Sequence, residues 1–212
     1  MIVEMGTRAA TEEMVGGRLC LDFANTVHSF HAEEKRDELS SYADLLEWSR
    51  QAGVITDAEA RRLLREANAH PVKAHRALER AKALRDAIFR IFAATAAERS
   101  PERDDLLLLN SVLAESLTHT RVVEGEDGFV WGWAEEDTLD KLLWPLARSA
   151  ADLLTSDELN RTRECGGESC TWLFMDTSKN RSRRWCDMKG CGNRAKSRRH
   201  YERKRTNALK TA

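Results

Sequence analysis

The chain has 212 residues, 42% of them apolar, enough for one sizeable hydrophobic core with a small module beside it. No apolar run approaches the roughly 20 residues that cross a bilayer, so no membrane span or membrane partner is expected. The net charge of −1 averages two unlike parts: from Arg161 onward fifteen Lys+Arg face five Asp+Glu (+10), and residues 1–160 hold nineteen against thirty (−11).

Leu19-Cys20-Leu21-Asp22-Phe23-Ala24-Asn25-Thr26-Val27 reads as a helix, with 19, 20, 23, 24 and 27 on one face. Cys20 in this run is expected to be a buried, inert thiol, and Asp22 and Asn25 to satisfy nearby backbone groups. His28, His31 and Glu34 make a weak metal or acid/base candidate. A helix opened by Ser40 or Ser41 carries Tyr42, Leu45, Leu46 and Ser49 and closes at Gly53. The next opens on a capping box, Thr56 and Glu59, carries Ala60, Leu63, Leu64 and Ala67, and ends near His70-Pro71. The longest helix spans about 72–98, with a stripe of Leu78, Ala81, Leu84, Ile88, Ile91 and Thr95. Leu106, Leu109, Leu113 and Leu117 mark another.

The period then changes. Arg121–Glu124 and Phe129–Trp133 flank Gly125-Glu126-Asp127-Gly128, the pattern of a β-hairpin. Helix resumes from an Asp137 cap through Leu139, Leu142, Leu143, Leu146, Ala150, Leu153 and Leu154, and Pro145 should kink or break it. The body contains no Gly-rich phosphate loop and no nucleophile elbow.

The most specific feature follows. Cys165 and Cys170, then Cys186 and Cys191, form two Cys-x4-Cys pairs separated by fifteen residues. Two short-looped thiolate pairs are the donor set of one structural Zn²⁺. Gly166, Gly167, Gly190 and Gly192 are expected to let the backbone turn at positive φ. Two disulfides are the alternative; the opening MIVEMGTRAATEEM has no basic-then-apolar signal, which points to a reducing cytoplasm and to metal. Iron also suits four thiolates, but no second redox motif accompanies them. Between the pairs, Thr171–Trp185 reads as a hairpin whose Trp172, Phe174 and Trp185 cover the metal, and a helix capped by Asn193 follows. The expected fold is therefore mainly α: a helical domain with one β-hairpin (1–157), able to fold without metal, then a treble-clef-like finger (158–212).

Trp185-Cys186, Met188 and Cys191-Gly192-Asn193-Arg194-Ala195-Lys196, preceded by Trp172-Leu173-Phe174 and Asp176, resemble the bacterial CGNR zinc-finger family. The run at 19–27 is similar to the stress-induced transcription regulator domain that precedes this finger. Gly-Gly-Glu-Ser inside the first pair departs from the family's Pro or Asp near the second cysteine and leaves the ligands intact. The resemblance implies four cysteine ligands to zinc and a DNA-binding role.

The leading expectation is thus a zinc-dependent DNA-binding transcription regulator whose body senses a small-molecule effector or forms a homodimer. Arg181, Arg183, Arg184, Arg194, Lys196, Arg198, Arg199, Arg203, Lys204 and Arg205 are its candidate phosphate contacts, with Arg194, Arg198 and Arg205 on one stripe. RNA or ribosome binding by the same surface is the second reading. A metal-stapled interaction module, its basic helix docked on an acidic body, is the third. No enzyme is expected, because four thiolates leave zinc no open position for water.

Overall fold

A computed structural model describes residues 14–28, 36–125, 128–136 and 138–210, with side chains omitted at 28, 36 and 205–210. Of the histidine candidate only the backbone of His28 is described; its side chain, His31, Glu34 and the Asp137 cap lie outside the described residues. In chain order come α1 (Leu19–Ala24), β1 (Val27–His28), β2 (Arg36–Asp37), α2 (Tyr42–Gln51), α3 (Asp57–Ala69), α4 (Pro71–Ala96) and α5 (Arg103–Thr118). The hairpin β3 (Thr120–Gly125) and β4 (Gly128–Trp133) and helix α6 (Leu143–Leu154) complete the body. Beyond it lie β5 (Thr162–Glu164), β6 (Leu173–Met175) and α7 (Asn193–Lys210). Among the described residues each of the three sheets is an antiparallel pair, β1 with β2, β3 with β4 and β5 with β6.

Helix ends fall where local chemistry puts them. Ser41 and Thr56 each accept from the amide three residues on, and Asp44 and Glu59 reach back to the cap amides, closing two reciprocal capping boxes. Gly53, at φ 69°, ends the α2 segment. Pro145 marks a break in the expected helix: a 3-10 turn at Leu139–Leu142 comes first, and Pro145 is the third residue of α6, where an amide has no partner within the helix.

The core is built around α4, whose Leu78, Ala81, Leu84, Ile88 and Ile91 are buried against α1, α5, α2 and α3. At about 1.5–3 kcal/mol for each fully buried large aliphatic side chain, this stripe is a principal source of stability. On α5 the buried face is Asp105, Leu109, Val112 and Ser116, and Leu117 is exposed. The expected leucine stripe is rotated because Asp105 turns inward to accept three bonds from Arg90 on α4, two of them from Nε. Leucine at 106, 107, 108 and 109 in succession does not define a face.

Two further ion pairs lock α4 and α3 to their neighbours: Arg85 grips Asp37 with both terminal nitrogens (2.7 and 3.0 Å), and Lys141 donates to Glu59 at 2.9 Å. Burial alone would raise the Glu59 carboxyl, but the Lys141 and Thr56 bonds outweigh it and bring it from 4.5 to about 2. Asp37 is lowered in the same way: burial opposes, and Arg85 prevails. A lowered carboxyl contributes stability above its unfolded value and loses it as pH falls toward the folded one. Between pH 4.5 and 2 the melting temperature of Glu59→Gln should therefore fall less steeply than that of the wild type. Parallel curves across that window would remove Glu59 as a source of acid sensitivity.

Chain segments cross between body and finger. Asn25, 7% exposed, donates from Nδ2 to the carbonyl of Leu173 (2.9 Å) and accepts the Leu173 amide at Oδ1 (2.8 Å). The Met175 amide donates to the Gly16 carbonyl at 2.8 Å, and the Gly16 amide is held by Asp22 at 2.7 Å. One flank of β6 is thus paired with β5 and the other with the start of the body. Leu173 and Met175 belong to the main core, and Phe174, on the opposite face, belongs to the metal module. Asn25 and Asp22 do satisfy backbone groups, and Cys20 is fully buried, its thiol pushed up to about 12 by burial.

Candidate metal centre and cationic face

The first cysteine pair sits on the connection between β5 and β6. The Cys165 amide donates to the Trp172 carbonyl (2.8 Å), and the Gly166 amide donates to the Arg184 carbonyl (2.8 Å), which draws the second pair against the first. The hairpin therefore encloses Cys165 and Cys170 rather than lying between the pairs. Residues 176–187 form no strand because Asp176, fully buried, folds them into a closed loop. Its carboxylate accepts the Ser178 amide (2.9 Å) and hydroxyl (2.5 Å) and the Arg183 amide (3.0 Å), and Arg181 takes φ 50° at the tip. A short carboxylate that can bond the amide two residues on favours such a turn over a strand.

The second pair is carried by the start of the last helix. Asp187 is its cap, accepting the Gly190 amide, and a single π turn, Met188–Gly192, runs into α7. Asn193, at φ −67° and ψ −40°, is already helical and not a cap. None of Gly166, Gly167, Gly190 or Gly192 has positive φ. Close approach is what glycine allows at Gly166, where a Cβ would lie 3.2 Å from the Arg184 carbonyl oxygen, and at Gly167, where it would lie 3.2 Å from the Cys170 Cβ.

All four Sγ atoms lie within 4.8 Å of one another, with Cys170–Cys186 and Cys186–Cys191 both at 3.7 Å. A tetrahedral ion with Zn–S bonds of about 2.3 Å needs sulfurs roughly 3.8 Å apart, and a disulfide needs about 2.05 Å. The donors fit the ion and not the bond. Contacts from Cys170 and Cys186 lower the Cys165 thiol, and the contact with Cys165 raises Cys170. Sulfurs this close cannot all be thiolates without a cation among them.

Around the sulfurs lie Trp172, Phe174 and Trp185, as expected, joined by Val15 from the start of the body. Arg194 Nη2 donates to Cys191 Sγ at 3.0 Å, so the arginine of the Cys-Gly-Asn-Arg run serves the metal ligands. Arg183 also turns inward: it donates to the Trp185 carbonyl (3.0 Å) and lies 4.5 Å over the Phe174 ring. Arg198 pairs with Glu168 of the first knuckle across a groove of about 390 Å³. Arg181, Arg184, Lys196, Arg199, Arg203 and Lys204 stay exposed, and none forms an ion pair among the described residues. The Arg205 side chain is outside them. Neither the inward turn of Arg183, nor the contact of the still exposed Arg194 with Cys191, nor the loop-closing role of Asp176 has a signal in single-sequence spacing.

Fold and site together define a helical domain bearing a four-cysteine metal finger at its C-terminal end. The chain belongs to the ABATE family, described as a putative stress-induced transcription regulator, which matches residues 17–157; residues 161–204 match the CGNR zinc finger. No curated protein matches the sequence. Among the described residues no helix is long and apolar enough to cross a membrane.

Proposed function

We propose that this protein is a zinc-dependent transcription regulator that binds nucleic acid, duplex DNA in preference to RNA, through the outer face of the finger. Cys165, Cys170, Cys186 and Cys191 hold one Zn²⁺, which supplies a structural crosslink; with four thiolates bound it has no open position, so the reading is non-enzymatic. The observation that carries the proposal is the set of exposed cations on the finger, Arg181 and Arg184 on the loop and Lys196, Arg199, Arg203 and Lys204 on α7. Cations without acid partners are free to displace counterions from phosphates. The helical body is the regulatory part in this reading.

Lys196, Arg199 and Arg203 replaced together by alanine should lower affinity for duplex DNA at least tenfold and reduce the slope of log K against log salt by up to roughly 3, at unchanged metal content. Fluorescence anisotropy with duplex DNA and folded RNA at matched salt provides the measurement. Tighter binding of RNA would move the protein to the RNA-binding class, and binding of neither would end the regulator reading.

A further inference from the structure

The hairpin of β3 and β4 stands apart from the metal finger and is the most apolar exposed surface of the described residues. Phe129 is 77% exposed, Trp131 67%, Val122 61%, Val130 53% and Val123 39%. Register pairs Val122 with Trp131 and Val123 with Val130, so both faces of the ribbon are apolar. Its base is anchored: the Ala134 amide donates to the His119 carbonyl at 2.7 Å, and Trp133 lies 6.0 Å from Trp144, which stacks on His119. The exposed part thus extends from a fixed root, and on one face the Arg148 guanidinium of α6, itself paired with Asp152, lies 5.9 Å over the Trp131 ring.

We propose that this ribbon is a homodimer interface, in which β4 pairs antiparallel with β4 of a second copy. Two residues separate Gly125 from Gly128, which makes that closing pair a hydrogen-bonded one, and antiparallel alternation then leaves the backbone groups of Phe129 and Trp131 directed away from β3. Proteins guard a free strand edge with charge or proline, and β4, Gly128-Phe129-Val130-Trp131-Gly132-Trp133, has neither. The uncharged edge sets no like charges opposite each other within the paired strands, whereas the acidic residues that flank β4 in sequence repel their counterparts in the second copy, a repulsion that salt screens.

Charge argues against other occupants. The ribbon carries Glu124, with Glu126 and Asp127 next in sequence and Glu135 and Glu136 following β4, and its cation Arg121 is bound to the Thr118 and Thr120 carbonyls. Phosphate backbones and anionic lipid are repelled by such a surface. Area is compatible with a second copy: the exposed apolar side chains amount to roughly 500 Å² per chain, so two ribbons offer at most roughly 1,000 Å², about the threshold for a specific interface, and reach it only where their faces pack as well as their edges.

Light scattering after size exclusion, on the full metal-loaded chain at high micromolar concentration, should give twice the monomer mass of 24.1 kDa. The dimer should persist at high salt, because its contacts are apolar and main-chain. Val130→Lys, and separately Trp131→Lys, should return the mass to 24.1 kDa with metal content and helical circular dichroism unchanged. A wild-type mass of 24.1 kDa, or a dimer that both variants retain, would overturn the proposal. So would a dimer that dissolves on adding salt, since that behaviour belongs to docking of the basic helix on an acidic body.

Discussion

Removing the metal is expected to weaken the helical body as well as to unfold the finger. Metal binding contributes about 10–16 kcal/mol to small thiolate modules, and this one has little apolar core apart from its ligands and the side chains around them. Without it the β5 and β6 hairpin has only its own short ladder. β6, however, is also a component of the body: Leu173 and Met175 fill the main core, and Leu173 supplies both partners of the buried Asn25 amide. Its release leaves those polar groups unpaired, at about 1–3 kcal/mol each, and opens a cavity of the kind that costs about 2–5 kcal/mol per large side chain lost. Cys191→Ser, or wild type with a strong chelator, should thus lower the melting temperature of the helical signal. Amide exchange should accelerate at Leu19–Ala24 before it does so at α2. Asn25→Ala should loosen the same contact with metal still bound. A helical transition unmoved by chelation would show that body and finger fold independently.

That expectation reverses the one drawn from sequence, and the reason is physical. Capping boxes at Ser41 and Thr56, the stripe on α4 and the ribbon at 120–133 are local: residues a few positions apart decide them. The cluster of four cysteines was equally legible, because metal donor sets repeat at short spacing. Strand pairing is not local. Met175 could have paired with a later segment or with Thr162, and what decides is Asp176, which spends its carboxylate on the Ser178 and Arg183 amides and so curls the chain away from a return strand. The contact of Asn25 with Leu173 spans 148 positions and carries no pattern at all. Composition reads a basic segment after an acidic one as two units, and the apolar contacts that join them through β6 are invisible to charge counting.

The same distinction separates the arginines, and Arg194→Ala should part metal affinity from nucleic-acid affinity. Four thiolates around Zn²⁺ leave a net charge of about −2, and the guanidinium 3.0 Å from Cys191 Sγ lies where it offsets that charge and fixes the sulfur. Loss of such an outer partner commonly costs 10–100-fold in metal affinity. Competition with a chromophoric chelator should show a loss in that range for Arg194→Ala and a smaller one for Arg194→Lys, whose ammonium keeps the charge but not the planar fork. Once saturated with metal, Arg194→Ala should bind DNA with nearly the wild-type salt slope, since its guanidinium is engaged with sulfur and not with phosphate. The variant lacking Lys196, Arg199 and Arg203 should do the opposite, holding metal as the wild type does while losing slope. If Arg194→Ala instead left the metal untouched and lowered the slope, its place would be among the phosphate contacts, and the contact with Cys191 would be incidental.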